Sequence, residues 1–185
     1  MSDQKKTYGE TALLTPANLL TAFRLFITPV FIWLIISHKV SWYTTIVGFV
    51  AAMSDYFDGI VARRQGTTRS GAFLDPLADK VVVLGSLYTL VYVKFMWILP
   101  VLIITARELW MTWFRSKMSK QGVSIPAGSL PKIKTMVQDL AIAFCVIPGV
   151  HDVRWLTVGT LWLAVTLTIV TGYQYYVGGK KLVVQ

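Results

Sequence analysis

Apolar residues gather into six long runs, over residues 19–37, 42–61, 77–93, 97–114, 133–148 and 155–177, with short polar links between them. A helix needs about 20 mostly apolar residues to cross the hydrocarbon core of a bilayer. The third and fifth runs are short or mixed at one end, and the other four are long enough. Continuous runs of this kind predict helices, because in lipid a helix closes its own backbone hydrogen bonds and an open strand does not. Thr15 followed by Pro16 reads as an N-cap and a proline at the first helical position. Pro29, inside the first run, predicts a kink. The first run begins too late and is too long for a cleavable signal peptide. The expected fold class is all-α: a polytopic membrane protein with six transmembrane helices. Residues 1–14 are expected to form a segment at the membrane surface, 15–179 the helical domain and 180–185 a cytoplasmic tail.

Composition adds exclusions. The 185 residues are 55% hydrophobic and 15% charged, against roughly 25% charged in an average soluble domain. Mean hydropathy is +0.58. A domain of about 150 residues hides only about 70% of its surface, which disfavours a soluble enzyme, a disordered chain and a nucleic-acid-binding module. The net charge of +9 is unevenly spread. With the N-terminus inside, the cytoplasmic side carries Lys5, Lys6, Arg63, Arg64, Arg69, Arg115, Lys117, Lys120, Lys132, Lys134, Lys180 and Lys181. The other side carries Lys39, Lys94 and Arg154, while Arg24, Lys80 and Arg107 lie within the runs. This positive-inside bias predicts an integral protein of the cell (inner) membrane with both termini in the cytoplasm. His38 and His151 fall on the outer side and read as exposed loop residues, and the single Cys145 as a buried apolar thiol. Trp42, Trp97 and Trp155 at outer helix starts, with Tyr173, Tyr175 and Tyr176 near an inner end, read as an aromatic belt.

Candidate chemistry lies in the acids. Of nine, four crowd into residues 55–79. Asp55 and Asp58 stand at i and i+3 near the end of the second run, and Asp75 and Asp79 at i and i+4 around the start of the third. Each pair therefore shares one helix face, and two antiparallel helices joined by a short loop bring the pairs opposite each other. Four facing carboxylates do not all stay ionised without counter-charge. Hard oxygen ligands, with no His or Cys nearby, favour Mg²⁺ or Mn²⁺ over Zn²⁺. Two such ions about 4 Å apart suit phosphoryl chemistry. Gly59 and Ala62 are small where a ligand would approach the helix, and Arg63 is placed to meet phosphate. The bland alternative is that Asp75, before Pro76, caps a helix and the other acids are solvated. Ionisable groups at the edge of apolar runs weigh against it.

These residues carry a resemblance. The stretches DYFDGIVAR and GAFLDPLAD, separated by RQGTTRS, resemble the signature of the CDP-alcohol phosphotransferase family, Asp-x-x-Asp-Gly-x-x-Ala-Arg, a spacer, then Gly-x-x-x-Asp-x-x-x-Asp. Asp55, Asp58, Gly59, Ala62, Arg63, Gly71, Asp75 and Asp79 stand at signature positions. The spacer has seven residues where the family usually has eight. The resemblance implies six transmembrane helices around a polar cavity open to the cytoplasm, usually in a homodimer. It implies an enzyme that joins a CDP-linked lipid or alcohol to an acceptor alcohol and releases CMP. Asp55, Asp58, Asp75 and Asp79 would form a two-metal centre, with Asp79 as general base. Gly59 and Arg63 would contact the nucleotide diphosphate. Asn18 and Thr21 at the start of the first helix, and Thr68 in the loop, resemble further nucleotide-site positions, although helix-start polarity explains Asn18 and Thr21 about as well.

The acceptor is read from two later segments. Thr105-Ala106-Arg107-Glu108 and Lys132-Ile133-Lys134-Thr135-Met136-Val137-Gln138 resemble the phosphatidylglycerophosphate synthase branch, with Pro131 where a glycine is more usual. An arginine inside an apolar run is costly unless paired. Arg107, Arg115, Lys132 and Lys134 together suit a small phosphorylated acceptor such as glycerol 3-phosphate. Alternatively Arg107 pairs with Glu108 of a neighbouring subunit or with Asp139, and the lysines serve topology or anionic lipid. The implied reaction takes CDP-diacylglycerol and glycerol 3-phosphate to phosphatidylglycerophosphate and CMP. The nearest alternative is a sister enzyme using inositol phosphate. A membrane prenyltransferase gives no reason for Gly59-x-x-Ala62-Arg63, and an ion transporter places its acids at the bilayer midplane.

Overall fold

Each apolar run becomes a helix, and most helices outrun the stretch that predicts them. The computed structural model describes residues 16–65, 69–120 and 130–183, with side chains at 19 and over 21–54, 78–118 and 130–178. The described residues form α1 (Pro16–His38), α2 (Trp42–Gln65), α3 (Arg69–Tyr92), α4 (Ile98–Lys120), α5 (Leu130–Val146) and α6 (Arg154–Val183), with no strand among them. Pro16 opens α1, and the helix continues across Pro29. Pro131 falls in the first turn of α5, where its missing N–H costs no intrahelical bond. Residues 180–183, expected in a tail, continue α6.

Short connections over residues 39–41, 93–97 and 147–153 gather at one end of the bundle. Ser41 caps α2, its Oγ accepting the Thr44 N–H at 3.1 Å. At the end of α3 the Phe95 N–H reaches the Leu90 carbonyl at 2.8 Å and the Lys94 N–H the Val91 carbonyl at 3.0 Å. This is a Schellman closure, with Lys94 in the left-handed region at φ 64°. His151 is half-buried rather than exposed. Its Nδ1 donates to the Cys145 carbonyl at 2.9 Å, and its ring packs 4.2 Å from that of Phe95. The histidine satisfies a carbonyl that the end of α5 leaves open.

Packing divides the bundle into halves. α1 lies along α2 and α3; α6 lies along α5 and α4; contacts of α2 with α5 and of α3 with α4 and α5 join them. The core between the halves holds Ile35, Leu87, Leu90, Val101, Ile104, Ala141, Cys145 and Ala164. Close approach of α1 to α2 requires glycine at 48, where a Cβ would lie 2.8 Å from the Phe31 ring. The outer faces are apolar instead of polar: Phe26 is 78% exposed, and Trp33, Phe49, Leu163 and Ile169 are exposed with it. Thr21–His38 and Arg154–Gly178 are long and apolar enough to cross a membrane. Trp42, Trp97, Trp155 and Tyr173 are exposed as a belt requires, but Tyr175 is buried against the bundle. It therefore leaves the belt: its position on α6 turns it toward α4, not toward lipid.

Candidate active site

Helix direction brings the start of α1, the end of α2 and the start of α3 to one end of the bundle, opposite the short connections. Asp55, Asp58, Gly59, Ala62 and Arg63 lie in the last turns of α2, and Gly71 and Asp75 in the first turns of α3. Their side chains, that of Asn18, and the whole of Thr68 lie outside the described residues. Because α3 opens at Arg69, Asp75 and Pro76 fall within the helix. A helix-capping role for Asp75 is thereby removed.

Asp79 is the described member of the signature, and its carboxylate forms an ion pair with Arg24 of α1. The arginine side chain is 3% exposed and that of the aspartate 48%. A buried guanidinium needs a counter-charge, and Asp79 supplies it from a position that is half exposed. Thr21, one turn before Arg24 on α1, is buried. Arg24 has no role in the sequence reading; its signal is a charge within an apolar run. Arg24 and Asp79 line a cavity of about 300 Å³ between α1, α2, α3 and α5. Arg24, Asp79 and Asp139 contribute charged groups to it, and Phe31, Phe49, Val83, Leu140, Ile142 and Val146 apolar wall. Ser86, seven residues after Asp79 on the same face of α3, also lines the cavity. Its buried hydroxyl has no hydrogen-bond partner.

The second half holds its own charge cluster. On α4, Arg107 donates through Nη1 to Glu108 Oε1 at 2.9 Å and through Nη2 to Thr171 Oγ1 of α6, also at 2.9 Å. Lys134 of α5 forms an ion pair with the same Glu108 oxygen. The exposures are 13% for Arg107, 15% for Glu108 and 7% for Lys134. Arg107 thus pairs within its own chain, with Glu108 and not with Asp139. It also lies against the backbone of α6 at Gly172, where a Cβ would stand 3.3 Å from its Nε. One turn beyond Thr171, the buried Tyr175 carries the Arg115 guanidinium 4.7 Å from its ring centre. The Arg107 Nε and the Tyr175 hydroxyl are buried without hydrogen-bond partners. The structure therefore brings Arg107 and Lys134 together and sets Arg115 on the adjoining face. Lys132 is exposed, about 200° round α5 from Lys134, and does not join them. Glu108, Thr171 and Tyr175 are the members that sequence reading missed. Glu108 stood there only as a bland partner for Arg107.

Fold and site define a helical membrane protein with a signature carboxylate in one half and a basic cluster in the other. The family model for CDP-alcohol phosphatidyltransferase matches residues 14–170. The chain belongs to this family, as the aspartate signature implied. It is 35% identical over 177 residues to the probable phosphatidylglycerophosphate synthase of Mycobacterium tuberculosis, covering 90% of this chain and 82% of that protein. It is 33% identical over 171 residues to the CDP-diacylglycerol–glycerol-3-phosphate 3-phosphatidyltransferase of Rickettsia felis, covering 89% and 94%. The protein of that name from Wigglesworthia glossinidia brevipalpis is 40% identical over 130 residues, 66% of this chain and 71% of its own.

Proposed function

We propose that this chain transfers the phosphatidyl group of CDP-diacylglycerol to glycerol 3-phosphate, giving phosphatidylglycerophosphate and CMP. The observation that carries the reading is the pair of charge centres: the half-exposed Asp79 of the signature, and Arg107 and Lys134 gathered on one oxygen. The first suits proton transfer beside a diphosphate, the second a phosphate on the acceptor. The relatives named above, similar over most of their length, support this acceptor over inositol phosphate.

Six helices cross the membrane in this reading, with both termini and the site on the cytoplasmic side of the inner membrane, as the lysine and arginine distribution supports. The active form is a homodimer. CDP-diacylglycerol enters from the lipid, and the apolar part of the cavity takes part of an acyl chain. The donor set fits Mg²⁺ or Mn²⁺: Asp79 lines the cavity, and Asp55, Asp58 and Asp75 add hard oxygens at helical spacing with no soft ligand among them. When bound, two such ions stabilise charge on the diphosphate and on the entering and leaving oxygens. Asn18, Thr21, Gly59, Ala62, Arg63, Thr68 and Gly71 contact the nucleotide and its phosphates.

Asp79 takes the proton of the primary hydroxyl of glycerol 3-phosphate. That oxygen bonds to the β-phosphorus, which carries diacylglycerol. The bond from this phosphorus to the bridging oxygen breaks, and CMP leaves with the electron pair while Arg63 meets its phosphate. Arg107, Arg115 and Lys134 hold the acceptor phosphate, so that its hydroxyl approaches in one orientation.

An acceptor screen on purified protein with CDP-diacylglycerol tests the reading. CMP is expected with glycerol 3-phosphate in the presence of Mg²⁺ or Mn²⁺, and is expected to stop on chelation. Release with inositol phosphate, serine or phosphatidylglycerol, but not with glycerol 3-phosphate, refutes the assignment.

A further inference from the structure

We infer that Glu108 is the positioning residue of the acceptor pocket: its Oε1 holds Arg107 and Lys134 at one point, ready for an incoming phosphate. The inference rests on the proposed function in taking the acceptor to be phosphorylated. Arg107 and Lys134 come from different helices and are both largely buried. Two like charges in such a place repel strongly, because little solvent screens them. A carboxylate oxygen between them removes that repulsion and sets their separation. Both cations use the same atom, Oε1, so Glu108 fixes them relative to each other.

The cluster is also under-filled. Glu108 takes one of the three donors on Lys134. Arg107 gives one bond to Glu108 and one to Thr171, and its Nε gives none. Thr171 is oriented to receive that bond, because its own hydroxyl proton goes to the Leu167 carbonyl at 2.7 Å. Two cations against one carboxylate leave a net positive charge, to which Arg115 adds on the adjoining face. A simple internal salt bridge balances its charges and uses up its donors. This one keeps an excess of both, as a pocket for a phosphate dianion requires. Glu108 touches neither substrate nor reacting atoms in this account; it acts through the two cations.

The test is steady-state kinetics on the purified full chain and on Glu108→Gln, Glu108→Asp and Glu108→Ala, varying each substrate separately. The expected result is a KM for glycerol 3-phosphate raised at least about tenfold in the Gln and Ala variants, the loss of about one charge-assisted contact. The KM for CDP-diacylglycerol stays unchanged, and Asp restores part of the acceptor affinity. Glu108→Gln keeps the size and an acceptor oxygen, so it remains informative if Glu108→Ala fails to fold. An acceptor KM that is unchanged or lower in Gln, with kcat or thermal stability reduced, overturns the inference and makes Glu108 a structural brace. Calorimetric binding of inorganic phosphate to wild type and Glu108→Gln reads the same pocket without turnover. Weaker binding by the variant supports the inference, and equal or tighter binding overturns it. This measurement separates it from the functional reading, which fails on its own if wild type releases no CMP with glycerol 3-phosphate.

Discussion

The two halves of the bundle solve the problem of charge among apolar helices in opposite ways. In the half built from α1, α2 and α3, the cation is hidden and the acid is offered: Arg24 is buried, and its partner Asp79 is half exposed at the cavity. In the half built from α4, α5 and α6, three charges are enclosed together, and cations outnumber the acid. Each pairing removes the cost of an isolated charge, so stability alone does not explain why one half exposes its acid and the other carries an extra cation. The difference matches the chemistry proposed for each half. A solvent-exposed carboxylate suits proton transfer or a divalent ion, and surplus guanidinium and ammonium donors suit phosphate. Under the proposed function, one half would act on the reaction step and the other on the affinity of one substrate.

That contrast is open to direct attack, beginning with the largest effect. Asp79→Asn removes the proposed base while keeping the shape of the side chain, and should lower kcat for CMP release by about 10²–10⁴-fold with little change in acceptor KM. Full CMP release by this variant ends the base assignment. Lys134→Gln probes the other half and should give the reverse pattern, an acceptor KM raised about tenfold or more at a kcat within a few fold of wild type. A drop in kcat with acceptor KM untouched would merge the two halves into one functional unit. Gly172→Ala sharpens the comparison. The added Cβ meets the Arg107 side chain at 3.3 Å, and a shift of a few tenths of an ångström should raise acceptor KM about two- to fivefold while leaving that for CDP-diacylglycerol alone. The smallest effect on either KM is expected from Gly48→Ala. Its Cβ would lie 2.8 Å from the Phe31 ring, so overpacking should cost about 1–3 kcal/mol of stability. Unfolding followed in detergent reads that loss, and both KM values should hold.

The two halves also differ in how far sequence exposes them. The aspartate signature is legible because its information is local. Spacings of three and four put carboxylates on one helix face whatever the rest of the chain does, and Gly59, Ala62 and Arg63 follow within five residues of Asp58. The basic cluster was legible only as a list of charges. Arg107 and Lys134 belong together, but Lys132, drawn in by the same motif, points elsewhere on α5. Tyr175 was grouped with Tyr173 and Tyr176 by nearness in sequence, yet their exposures diverge because a helix turns about 100° per residue. Glu108 was the acid most easily passed over, since an acid next to an arginine looks self-explanatory.

The chain by itself determined the number of helices, their apolar faces and the carboxylate signature. Each of these depends on residues within a few turns of one another, where helical geometry leaves little freedom. Tertiary structure decided which charges meet. Arg24 and Asp79 are 55 residues apart, Arg107 and Thr171 are 64 apart, and Lys134 and Glu108 are 26 apart. No local spacing encodes such pairs. They follow from how helices rotate and dock to bury apolar faces, and from the cost of leaving any charge alone once they have docked.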